Sequence, residues 1–116
     1  MINSLRYASR GLAYAFRAEQ NFRIQTVAGI LAIVGAWYFN LPSWQVILVI
    51  LLIILVMSME LLNTTFEYFT DLLKPRLHHY VLVIKEIMAG AVLLISVGAA
   101  VIGLIIFLPY FISLFR

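Results

Sequence analysis

Two long stretches of this chain, residues 44–59 and 87–107, contain no ionisable side chain at all. An α-helix rises about 1.5 Å per residue, so the second stretch makes a rod of roughly 30 Å, the thickness of one bilayer hydrocarbon core. Backbone polar groups cannot be left unpaired in lipid, and a helix pairs them all within itself. Composition points the same way: 65% of the 116 residues are hydrophobic and 11% are charged, against about 45–50% and about 25% in soluble domains. A soluble fold of this length could not hide so much apolar surface, so lipid has to be the solvent for most of it. An all-α membrane protein forming a single domain, residues 1–116, is the expectation.

Residues 4–19 read as an amphipathic surface helix. At about 100° per residue, Arg6, Arg10 and Arg17 share one narrow arc. Leu5, Leu12 and Phe16 take another face, with Glu19 at its edge. Such a helix suits the headgroup layer. Three transmembrane helices should follow, at about 24–41, 44–62 and 87–107. Trp37, Tyr38 and Trp44 surround the first turn, as an interfacial aromatic belt would. The second helix should continue through Asp71 and stop at the Lys74-Pro75 step, because proline disfavours a helical residue before it. Pro109 should end the third.

The N-terminal segment carries Arg6, Arg10, Arg17 and Arg23, and the second connection carries Lys74, Arg76 and Lys85. The first connection carries no basic residue, and the C-terminus only Arg116. Positive residues mark cytoplasmic segments, so the N-terminus belongs inside and the C-terminus outside. The basic residues therefore report topology; they give no nucleic-acid signature. The N-terminus is not expected to be a cleaved signal, since its arginines are spread out and the apolar run ends in Trp37-Tyr38-Phe39. The absence of cysteine excludes disulfides and thiolate metal sites.

All five carboxylates, Glu19, Glu60, Glu67, Asp71 and Glu86, fall on the cytoplasmic side of this topology. Glu60 lies about 24 Å along a helix from Trp44, still at the hydrocarbon edge, while Glu67 reaches the headgroups. Glu60, Asn63, Glu67 and Asp71 are spaced by three, four and four, which puts them in one arc of roughly 80°. A polar stripe there is costly unless it faces protein, water or an ion. The plain alternative is a set of headgroup-level charges, with Lys85 and Glu86 as an ordinary ion pair. That reading suits a solvated loop better than Glu60, whose depth marks it as functional. No Walker loop, protein-kinase signature or paired-histidine metal motif occurs. His78-His79, adjacent and thus about 100° apart on a helix, reads as a solvated loop pair.

The run Glu60-Leu61-Leu62-Asn63-Thr64-Thr65-Phe66-Glu67, followed by Asp71, resembles the E-x-x-N-[ST]-x-x-E-x3-D signature of prokaryotic diacylglycerol and undecaprenol kinases. The run from Lys85 to Leu94 is similar to that family's K-D-x-x-A-G-A-V-L-L, with Glu86 where the family has Asp. Glu19-Gln20-Asn21-Phe22-Arg23-Ile24 is similar to its E-x-N-F-R-I segment. The resemblance implies an ATP-dependent lipid kinase of the bacterial cytoplasmic membrane, a homotrimer with active sites between protomers near the inner face. It implies Glu60 as the base for the lipid hydroxyl, and Glu19 and Glu67 as ligands of the Mg²⁺ carried by ATP. Tyr7, Glu19, Asn63, Glu67, Arg76, His78, Lys85 and Glu86 would contact the nucleotide, and Glu60 and Ala89 the lipid. Phosphoryl transfer asks mainly for positioning and charge neutralisation, so a small site suffices without a phosphate loop. The segment from Gly103 to Pro109 looks more like the undecaprenol kinase branch. A reading of a different class is a proton- or cation-conducting subunit built on Glu60.

Overall fold

The computed structural model describes all 116 residues as four helices. These are α1 (Ile2–Ala18), α2 (Gln20–Tyr38), α3 (Ser43–Asp71) and α4 (His78–Leu114). Each packs on the next in chain order, α1 on α2, α2 on α3 and α3 on α4.

The amphipathic helix expected at 4–19 is α1. It ends where Glu19 leaves helical geometry for an extended conformation, φ −111° and ψ 114°. The carbonyls of a last helical turn need outside donors. Arg23 supplies them, its Nη1 donating to the carbonyl oxygens of Phe16 at 3.0 Å and Arg17 at 2.8 Å. The break is thereby fixed, and Glu19 is held at the junction of two helices.

Of the three spans expected, two are long and apolar enough to cross a membrane on their own, α3 and α4. The shortfall is in α2. Gln20, Asn21, Arg23, Gln25 and Thr26 crowd its first turns, which leaves an apolar part from Val27 to Tyr38 of only about 18 Å. Its place is set by packing along α3 as much as by its own hydropathy. At Gly29 an added Cβ would stand 3.1 Å from Ile53 Cγ2, so the Ile53 side chain of α3 packs directly on the backbone of α2 there.

The turn between α2 and α3 is fixed locally. Asn40 takes a left-handed conformation, φ 53°, which asparagine tolerates better than most residues. The Leu41 N–H then bonds the Ala36 carbonyl at 3.1 Å and the Asn40 N–H bonds that of Trp37 at 3.2 Å. This paired closure caps α2, and Leu41 drops onto Ala36 in a small core completed by Val49 and Ile106. Trp37, Tyr38 and Trp44 all point outward beside it. Phe39 packs at a tilt against Tyr110 and edge-to-face against Phe111 of α4, and Tyr110 donates to Gln45 Oε1 at 3.1 Å.

Helix α3 stops at Asp71, three residues before the Lys74-Pro75 step. Helix α4 differs more from expectation. It begins at His78, so the histidine pair sits in its first turn and not in a loop. It also runs through Pro109, which was expected to end it. Proline removes one backbone donor, a loss that helices at membrane depth tolerate because the freed carbonyl is re-satisfied locally. Only 11 of the 116 residues are buried within the protomer. The rest of the apolar surface is left for lipid or for other copies of the chain.

Candidate functional site

Glu60 is 3% exposed, the one buried carboxylate of the chain. It sits sixteen residues beyond Trp44 on α3, where the helix passes beside the polar first turns of α2. Gln25 of α2 donates from Nε2 to Glu60 Oε2 at 3.4 Å. One turn further on, Thr64 is also buried, its Oγ1 donating to the Glu60 carbonyl oxygen at 3.1 Å. The charges of Glu19 and Glu67 lie close enough to act on the Glu60 carboxylate. The break after α1 and the C-terminal end of α3 thus bring Glu19 into one neighbourhood with Glu60 and Glu67, some forty residues further along the sequence.

Around Glu60 the stripe opens toward solvent. Asn63 is half-buried and donates from Nδ2 to Glu67 Oε1 at 3.4 Å, while Glu67 itself is exposed. The Tyr14 and Tyr68 hydroxyls meet at 2.6 Å, tying α1 to α3 beside Glu67. At the end of α3, Asp71 Oδ1 accepts from Lys85 Nζ of α4 at 2.9 Å, and Lys74 Nζ lies 3.9 Å from the same oxygen. The hydrogen bond from Lys85 holds the Asp71 carboxyl below its ordinary range. Lys85 is therefore paired with Asp71, and Glu86 makes no ion pair. The ordinary Lys85–Glu86 pair does not form, because neighbours on a helix point about 100° apart.

The remaining sequence-derived candidates stand apart. Tyr7, Arg76, His78 and Glu86 are exposed and make no side-chain hydrogen bond or ion pair, and Ala89 lies exposed on α4. Three residues of the cluster, Gln25, Tyr14 and Tyr68, lie outside the candidates that the sequence pattern marks. Only Gln25 carried a signal, as a polar side chain inside a segment otherwise reading as a span.

No group of three or more acids or histidines converges tightly enough to hold a metal ion by protein ligands alone. Glu19 and Glu67 nonetheless offer hard carboxylate oxygens that water can reach. Mg²⁺ is commonly held by one or two carboxylates together with substrate phosphates, so this donor set fits an ion that arrives with a nucleotide.

A bundle of apolar helices with its acids gathered at one end, one of them buried between helices, defines a helical membrane protein with a single polar face for chemistry. Residues 6–107 match the prokaryotic diacylglycerol kinase family, and the chain belongs to it. The chain is 39% identical, over 98% of its length, to a diacylglycerol kinase of Synechocystis, and spans 66% of that protein. It is 34% identical, over 89% of its length, to an undecaprenol kinase of Bacillus subtilis, and spans 84% of that one. With a diacylglycerol kinase of Escherichia coli it shares 29% identity over 96% of its length. Membership of a kinase family does not favour the ion-conducting alternative.

Proposed function

We propose that this protein is an ATP-dependent lipid kinase, transferring the γ-phosphate of MgATP to the hydroxyl of undecaprenol or diacylglycerol at the cytoplasmic membrane face. The observation that carries this reading is the gradient of burial along one helix face, from Glu60, 3% exposed, to the exposed Glu67 and Asp71. A lipid hydroxyl travels at the hydrocarbon edge and a nucleotide comes from water. The two meet where such a gradient runs.

On this reading Glu60 accepts the hydroxyl proton as the lipid oxygen bonds to the γ-phosphorus and the bond to the ADP oxygen breaks. Glu19 and Glu67 hold the Mg²⁺ of ATP, which when bound neutralises phosphate charge. Asn63, by its bond to Glu67, fixes the orientation of that carboxylate. Lys85 stands within reach of Glu67's charge and adds a positive group beside the phosphates. Tyr7, Arg76, His78 and Glu86 complete the nucleotide site only if a second protomer or the nucleotide itself draws them in.

That requirement supports a homotrimer with the site between protomers, as does the small fraction of the chain buried within one copy. Gly98 and Gly103 have no neighbour within 4 Å of an added Cβ, so neither makes a close helix contact inside the protomer. They are open to another helix. In this assembly α2 joins α3 and α4 as a third span, and the N-terminus faces the cytoplasm.

The test is a purified-protein assay of labelled-phosphate transfer from MgATP to undecaprenol and to diacylglycerol, side by side. Transfer to one or both is expected. Transfer to neither, by protein that binds MgATP, would overturn the reading. The relatives carry both substrate names, and the ratio of the two rates assigns the substrate.

A further inference from the structure

Gln25 has no assigned part in the reaction, yet it is the one side chain outside α3 that hydrogen-bonds Glu60. Its amide is in an unusual position. Nε2 points at Glu60 Oε2, 3.4 Å away, while Oε1 is buried and has no partner. A buried acceptor left unpaired destabilises the fold. Helix α2 could have avoided that cost with an apolar residue, since Gln25 also lines the apolar cavity of about 360 Å³ between α2, α3 and α4. Leu, Val or Met would fill the same space at no polar cost. The cost is accepted where an amide is needed.

We infer that Gln25 is a positioning residue for the lipid-kinase reaction, fixing the orientation of the Glu60 carboxylate through its side-chain amide. The inference rests on the reading of Glu60 as the base. An amide suits this task better than a charged partner. Its Nε2 donates to a carboxylate, and a half-turn of the amide presents Oε1 to the carboxylic acid that Glu60 becomes on taking the hydroxyl proton. Lysine or arginine would favour the ionised state alone and weaken the base. The present 3.4 Å separation is long for a hydrogen bond, as contacts of catalytic groups often are before substrate is bound.

A double-mutant cycle tests this. Gln25→Met keeps the side-chain length and removes only the polar atoms, and it should lower kcat about tenfold through a misplaced base, with KM for MgATP unchanged. In the Glu60→Gln background the same substitution should lower kcat no further, because the residue it orients is already disabled. Gln25→His, which keeps one donor and one acceptor, should recover part of the rate. Equal losses in both backgrounds would make Gln25 a packing residue, as would a rise in KM for MgATP matching the fall in kcat. If Glu60→Gln itself leaves kcat unchanged, the assignment of the base fails, and the two failures are thereby told apart. Retained MgATP binding by each variant shows that it has folded.

Discussion

Glu60 and Glu67 stand seven residues apart on one face of α3, one buried and the other exposed. Under the proposed division of labour, Glu60→Gln lowers kcat by about 10²-fold or more and leaves MgATP binding nearly intact. Glu67→Gln and Glu19→Gln instead weaken MgATP binding and raise the Mg²⁺ concentration needed. Titration of each variant with MgATP, beside its turnover, distinguishes the two; equal loss of nucleotide binding in all three would refute the division. Glu86 makes no ion pair, so nothing in the protomer competes for its carboxylate. Glu86→Asp should keep or improve apparent ATP affinity and Glu86→Ala should weaken it, whereas indifference to both would remove Glu86 from the nucleotide site. At this scale the sequence was legible wherever the partners share a helix. The spacing of Glu60, Asn63, Glu67 and Asp71 placed the stripe because helical geometry is local. The Gln25–Glu60 and Tyr14–Tyr68 contacts cross between helices, 35 and 54 residues apart in sequence, and no periodicity encodes such pairs.

Among the helices, α2 carries the clearest energetic signature. An added Cβ at Gly29 would meet Ile53 at 3.1 Å, so Gly29→Val must push α2 and α3 apart. Overpacking of this kind costs about 1–3 kcal/mol. Gly11 has nothing within 4 Å, and Gly11→Ala should stabilise α1 by about 1 kcal/mol through helix propensity. Thermal melts in detergent should move in opposite directions for the two variants. Element boundaries were legible where capping chemistry sets them, as at Glu19 and at Asn40-Leu41-Pro42. They were missed where a local rule was overridden. Helix α4 begins at His78 and runs through Pro109, whose missing donor a helix at membrane depth tolerates. The apolar part of α2 is too short to declare itself a span, since five polar residues occupy its opening turns.

For the whole molecule, the distribution of basic residues sets the expected orientation. A reporter fused after Arg116 that is active only in the cytoplasm should stay silent, and a strong signal would overturn the orientation. Cross-linking in mild detergent should trap three copies; a ladder ending at dimers would count against the trimer. The distance between the outward-pointing Trp44 and the buried Glu60 has a further consequence. Sixteen residues of unbroken helix separate them, a rigid spacer of about 24 Å. An interfacial tryptophan prefers the headgroup level, so under the proposed assignment of Glu60 as the base the spacer acts as a gauge that sets its height against the opposite leaflet. In a bilayer thicker than the gauge Glu60 sinks below the depth at which the alcohol rides, and in a thinner one it rises above it. Turnover in vesicles of graded acyl length should therefore pass through a maximum at the matching thickness, and moving the anchor by Trp44→Leu with Ile47→Trp should shift that maximum toward shorter chains.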